Sequence, residues 1–272
     1  MNIKRQVKDL LFNYFVGPLA PGIDNRPRIL GYHSIGRDAS VISTPLARFR
    51  QHIEWLMENK FRLMTLREWW EASAADQSAP DRSVILTFDD GFKGILDHAA
   101  PVLNEFGIRG TVFIVTDYIG RTNAYDRALN TPEHPLLDWN EIEELKSLGW
   151  DIQLHGKQHV PVTLLDEEKL EDDLIQGKTL LEDRLGESIE FFCYPYGIFD
   201  EKAIRILKKT GFRAAVTCMA GTLSNLRNQD PFKLRRAMVD GLKNRRDFAF
   251  RFSPAYQRLS DLWFPFNRLV AE

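Results

Sequence analysis

Eight residues, VILTFDDG from Val84 to Gly91, constrain this chain more than any other stretch. Val84 to Phe88 have strong β character and run straight into two adjacent carboxylates and a glycine. The pattern predicts a buried strand that ends in a sharp turn, with Asp89 and Asp90 at its C-terminal tip. Neighbouring side chains on a strand point opposite ways, but at a strand-to-loop turn both can face one pocket. Two like charges so close are unfavourable unless a cation sits between them or one is protonated. Taken alone, Asp-Asp-Gly is equally ordinary turn chemistry.

The flanking sequence alternates strands and helices. Arg28 to His33 reads as a short apolar strand, and Pro45 to Lys60 as a helix with Thr44 as its N-cap. Phe61 to Leu66, Thr111 to Thr116, Trp150 to His155, Ile189 to Tyr194, Arg213 to Cys218 and Phe232 to Val239 read as further strands. Helices are expected over Arg67–Ala75, Lys93–Phe106, Trp139–Leu148, Asp166–Leu185 and Asp200–Thr210, several of them closed by glycine. This rhythm implies a parallel sheet closed or nearly closed into a barrel. The fold class is therefore α/β, a distorted barrel of seven or eight β/α units in a single domain. In such barrels chemistry gathers at the C-terminal ends of the strands. His33, Asp89, Asp90, His155 and Tyr196 all fall there. Asp117 to Asp138 is a long polar loop without periodicity, of the kind that is usually functional or mobile.

Composition narrows the partners. A formal net charge of -2 argues against a nucleic-acid binder. The two cysteines, Cys193 and Cys218, form neither a disulfide framework nor a metal-type spacing, and they favour a reducing compartment. The chain divides into an N-terminal extension (1–27), the barrel (28–240) and a basic, aromatic-rich, helical tail (241–272). In the extension, Lys4, Arg5 and Lys8 precede an apolar run, and Ile3, Val7, Leu10, Leu11, Tyr14 and Phe15 share one helical face. Asp9, Asn13 and a poor cleavage pattern speak against a signal peptide. The plain reading is a helix packed on the domain; the sharper one is an amphipathic helix on a membrane surface. The expected location is cytoplasmic, with a peripheral place at the inner membrane as the sharper form.

Histidine is scarce, six in the chain, yet His155 and His159 stand four apart in LHGKQH. Two imidazoles and one carboxylate make a facial set for a divalent cation and leave positions open for water and substrate. Asp90, His155 and His159 supply such a set, with Asp89 beside it as a base. A cation there would relieve the Asp89–Asp90 repulsion and lower the pKa of its water. Gly156 and Pro161 place the pair in a loop at the active end. An i, i+4 histidine pair by itself is often incidental.

TFDDG at Thr87 to Gly91, HGKQH at His155 to His159 and YPYG at Tyr194 to Gly197, in that order, resemble the polysaccharide deacetylase family of NodB-homology type. The resemblance covers roughly Arg28 to Asp240. It implies a distorted barrel that removes N- or O-acetyl groups from glycans with a divalent metal, zinc first, cobalt or nickel as alternatives. It also implies Asp89 as catalytic base, Asp90, His155 and His159 as metal ligands, and Tyr196 beside Pro195 as the sugar-site segment whose backbone N–H faces the oxyanion.

Two departures stand out. Many members carry an arginine two residues before the proline of the third motif, where this chain has Cys193. They also carry a late histidine as general acid, and no histidine follows His159 here. His33 is the best replacement, because first and last strands are neighbours in a closed barrel. Its YHS context resembles the deacetylases of biofilm poly-N-acetylglucosamine; His134, in the long loop, is the weaker candidate. Arg235 and Arg236 read by default as surface ion-pair partners, and Cys193 as a small core residue. The expected function is metal-dependent N-deacetylation of an amino sugar in a polysaccharide or a lipid-linked precursor. A deformylase or other C–N amidase shares the chemistry. The two departures would also suit a non-catalytic glycan-binding protein on the same barrel.

Overall fold

The computed structural model describes residues 22–76, 81–129, 132–224, 226, 228–242, 244–258 and 260. The amphipathic face at Ile3 to Phe15 and the tail aromatics Trp263, Phe264 and Phe266 lie outside these residues. The chain opens with β1 (Arg28–Tyr32) and a small parallel pair absent from the sequence reading, β2 (Ser34–Gly36) and β3 (Ser43–Pro45). Helix α1 (Leu46–Glu58) follows. Its N-cap position is Pro45, with no side-chain cap, because Thr44 is engaged in β3. Then come β4 (Arg62–Met64), α2 (Leu66–Asp76) and β5 (Ser83–Phe88). The helix expected from Lys93 begins as a π-helical turn, Ile95–Ala99, and becomes α3 (Ala100–Glu105). β6 (Thr111–Ile114), α4 (Trp139–Ser147), β7 (Asp151–Leu154), α5 (Glu167–Leu185), β8 (Phe191–Cys193), α6 (Glu201–Lys209), β9 (Ala214–Val216), β10 (Arg236–Met238) and α7 (Arg245–Phe250) complete the order. No helix among the described residues is long and apolar enough to cross a membrane.

The main sheet runs β10-β1-β5-β6-β7-β8-β9, every pair parallel, with β4 against the start of β5. A parallel bridge from Val216 to Leu234 carries the far edge back toward β10 and nearly closes the barrel. Strands β1 and β5 to β9 are buried along their whole length because one face lines the barrel and the other lies under helices. The period-two alternation separates two apolar clusters. Ile29, Ile85, Phe113, Phe191 and Val216 point inward. Leu30, Leu86, Val112, Leu154 and Phe192 point out toward the helices. Trp69 of α2 joins the inward cluster and is fully buried. By the same alternation Thr87, Asp89, Gln153, His155, Cys193 and Arg236 face inward, so one strand period carries the apolar interior up into a polar top.

The long loop is organised, not structureless. It contains 3-10 turns at Thr116–Tyr118 and Ala124–Leu129, a bridge from Thr122 to Pro135 pairs its two arms, and a bridge from Phe92 to Leu136 ties it to the Asp-Asp-Gly turn. At the other end of the chain, α7 packs on α1. The Phe248 ring stacks on His52 with centroids 4.0 Å apart and planes 5° apart. Phe248 and Phe252 are core side chains.

His52 gives a pH signature. Its Nδ1 is 3.2 Å from the Tyr32 hydroxyl, and burial holds its pKa down at about 3. Below pH ~6.5 the unfolded chain binds a proton here that the folded chain refuses, so stability falls as pH drops from ~6.5 toward ~3, by at most ~1.4 kcal/mol per pH unit. Urea unfolding between pH 7 and 5 should show this slope in the native protein. In His52→Gln, which keeps a polar partner for Tyr32, the slope should flatten by about that amount.

Candidate active site

The turn after β5 is built for two divergent carboxylates. Asp90 (φ 69°) and Gly91 (φ 73°) both adopt the left-handed conformation, which swings the two acids to different sides of one cleft. Of five non-glycine residues with positive φ among those described, Asp90, His159 and Tyr196 lie at this cleft. Such backbone strain concentrates at functional sites. The cleft, about 300 Å³, also takes in His33, Asp89, Asp126, His155 and Cys218.

On one side, Asp90 meets the histidine pair. His155 Nε2 is 3.4 Å and His159 Nε2 3.3 Å from the same Asp90 Oδ1. That oxygen is buried and has no hydrogen-bond partner among the described residues. Burial, together with the Asp89 and Asp126 carboxylates, pushes Asp90 well above its ordinary range. Burial pulls His155 down to about 4 and His159 to about 2, the latter helped by His155 and His33. Protein alone thus supplies two neutral imidazoles and a carboxyl starved of positive charge. Two ligands bonded to a small divalent cation at roughly 2.1 Å and a tetrahedral angle stand about 3.4 Å apart. The donor set fits such an ion. His155 Nδ1 is 2.7 Å from the Cys193 carbonyl, which fixes the tautomer that leaves Nε2 free to ligate.

On the other side lies the residue the sequence reading assigned to the surface. Arg236 is fully buried and grips Asp89 with both arms, Nη1 to Oδ1 at 2.6 Å and Nη2 to Oδ2 at 2.8 Å. The surface expectation fails because β10 closes the ring and turns Arg236 inward. Gly31 makes room: a Cβ there would meet Met238 Sδ at 2.5 Å and Arg236 Nε at 3.1 Å. Burial opposes the charge on Asp89, but Arg236, then His155 and His33, hold it well below the usual carboxylate range. Cys193 is core, as expected, yet its sulfur also accepts from Arg236 Nη2 at 3.2 Å.

His33 Nε2 stands 4.0 Å from Asp89 Oδ2, with the side chain 24% exposed. Burial and Arg236 lower its pKa against the pull of Asp89 and Asp126. His134 does not line the cleft; its backbone N–H donates to Asn123 and its ring packs near Phe92. Tyr196 lines the cleft, whereas Pro195 is buried and is not among the residues that line it. Tyr196 also donates its hydroxyl to Asp126 Oδ1 at 3.2 Å. Asp126, Arg236 and Cys218 also stand at the site, and no sequence motif marks them for it.

A family model, Polysaccharide deacetylase, matches residues 76–215. The chain belongs to the polysaccharide deacetylase family. It is a hydrolase of carbon–nitrogen bonds on a NodB-type barrel. Among curated proteins, it is 27% identical over 211 residues to Bacillus subtilis YxkH, described as a polysaccharide deacetylase, covering 78% of this chain and 70% of that protein. It is 26% identical over 200 residues to the poly-beta-1,6-N-acetyl-D-glucosamine N-deacetylase of Staphylococcus epidermidis, covering 70% and 66%. Among solved structures, IcaB from Ammonifex degensii superposes with a TM-score of 0.72 at 24% identity, covering 84% of this chain and 98% of that one. This last likeness is one of fold.

Proposed function

We propose that this chain is a metal-dependent N-deacetylase of N-acetylhexosamine polymers, of which β-1,6-linked N-acetylglucosamine is the first candidate. The observation that carries the reading is the division of labour across one cleft. Asp90, His155 and His159 form a donor set on one side, and an ionised Asp89 held by Arg236 stands on the other. The staphylococcal relative supports the sugar. A divalent ion held by Asp90, His155 and His159, zinc first for a set of two imidazoles and one carboxylate, would polarise the acetyl carbonyl and activate a water.

The chain's own groups then move the protons. Asp89, unprotonated at neutral pH, accepts a proton from the attacking water at Oδ2. The water oxygen bonds to the carbonyl carbon. His33 Nε2, 4.0 Å away, takes that proton as the gap closes and delivers it to the sugar nitrogen when the C–N bond breaks. Acetate and the free amine are the products. Arg236 keeps Asp89 oriented and charged between turnovers. Arg236 on Asp89 and His33 at the cleft stand where the family's absent arginine and late histidine would act, and so support catalysis over a purely glycan-binding role.

The test is acetate release. Zinc-loaded protein should carry about one ion per chain and release acetate from β-1,6-linked N-acetylglucosamine oligomers. Binding of the oligomers with no release from any N-acetylated glycan, zinc, cobalt or nickel present, would sink the enzyme reading for this substrate class.

A further inference from the structure

His155 and His159 present the same nitrogen, Nε2, to Asp90, but their far sides differ. His155 Nδ1 is satisfied by the Cys193 carbonyl at 2.7 Å. His159 Nδ1 is buried with no hydrogen-bond partner among the described residues. It faces Asp126 Oδ1 at 4.0 Å. Asp126 is itself only 5% exposed and arrives from the loop after β6, whereas His159 lies in the loop after β7. The same Oδ1 already accepts the hydroxyl of Tyr196, from the loop after β8. A carboxylate oxygen has a second lone pair for the imidazole N–H, and a shift of about 1 Å brings it within hydrogen-bonding range. The His159 ring has little freedom to find another acceptor. Its centroid is 4.3 Å from that of Tyr125 and 4.5 Å from that of Tyr196.

We propose that Asp126 is a positioning residue for the metal centre: it accepts the Nδ1–H of His159 and fixes the tautomer that leaves Nε2 free for the metal. A histidine ligand almost always donates its second nitrogen to a carboxylate, carbonyl or water, and losing that partner costs 10–100-fold in metal affinity. The backbone of the long loop holds the acid in place. Asp126 N donates to the Asn123 carbonyl at 3.0 Å, and the Asn123 side chain takes the His134 N–H at 2.7 Å. The inference rests on reading His159 as a metal ligand. If the native protein binds no zinc, that reading fails; if it binds zinc normally but is indifferent to Asp126, only this inference fails.

The experiment measures zinc affinity by competition with a chromogenic chelator in the full chain, for the native protein, Asp126→Ala, Asp126→Asn and Tyr196→Phe. Asp126→Ala should weaken zinc roughly 10–100-fold. Asp126→Asn, which keeps an acceptor oxygen, should recover most of the loss, and Tyr196→Phe should leave affinity near native. Equal affinity in native and Ala forms, or equal losses in Ala and Asn, would overturn the proposal. A second measurement needs no variant. Imidazole ¹⁵N–¹H spectra of the zinc-loaded native protein should show His159 protonated at Nδ1 with slow solvent exchange. A rapidly exchanging or absent Nδ1–H would overturn it equally.

Discussion

Arg236→Met should lose roughly 10²–10⁴-fold in turnover at pH 7, the span a general base contributes, while zinc still binds. The substitution keeps an unbranched side chain of similar reach and deletes the fork that grips both oxygens of Asp89. An uncompensated buried charge remains. Breaking a buried ion pair from one side costs about 3–5 kcal/mol, read as a shift in urea unfolding. With the guanidinium gone, burial dominates Asp89 and raises its pKa, so the base is protonated where the native protein has it ionised. The sign follows: the variant's residual rate climbs with pH across the neutral range, where the native rate has no titration of Asp89. Arg236→Lys retains the charge but not the planar fork, and should fall between the two. Native turnover in Arg236→Met would reduce this pair to a structural tie.

Arg236 also shows what the sequence could not reveal. The inward period of each strand was legible. Thr87 and Asp89 on β5, and His155 at the end of β7, follow the same alternation as the apolar residues below them. The two motifs therefore met as their spacing and the barrel rule required. Arg236 lies on a three-residue strand, and the arginine's partner is 147 positions away. Its placement depends on ring closure and on the register that sets Ile29 against Arg236, with Gly31 next along to let the side chain cross. None of that is a local pattern. Closure was enough to bring His33 toward β5, because a tip residue on the first strand needs no register to be near the site. Asp126 was hidden for a different reason. Its loop has no periodicity, and its fold comes from bridges to Phe92 and between Thr122 and Pro135. Such long-range pairings leave no spacing to read. The capped helices, by contrast, were local: Asp138 with Glu141 and Asp200 with the Ala203 N–H can be read within one turn.

Asp89→Asn should lower acetate release ~10²–10⁴-fold and leave zinc stoichiometry unchanged, since Asp90, His155 and His159 are untouched. The amide is isosteric but cannot take a proton, and it leaves Arg236 without its counter-charge, so some stability is lost as well. His33→Gln should lower turnover with little change in KM, because the side chain sits 4.0 Å from Asp89 Oδ2 and its proposed task is proton delivery. The informative measurement is the double variant. Residues that act as one unit are grossly non-additive, so removing the second costs little once the first is gone. If Asp89 passes its proton to His33 Nε2, Asp89→Asn/His33→Gln should be no slower than Asp89→Asn alone. If the two losses multiply, the groups act on separate protons and the direct relay is wrong. The carboxylate would then serve the water, and the histidine would draw the leaving group's proton from solvent through its 24% exposed side.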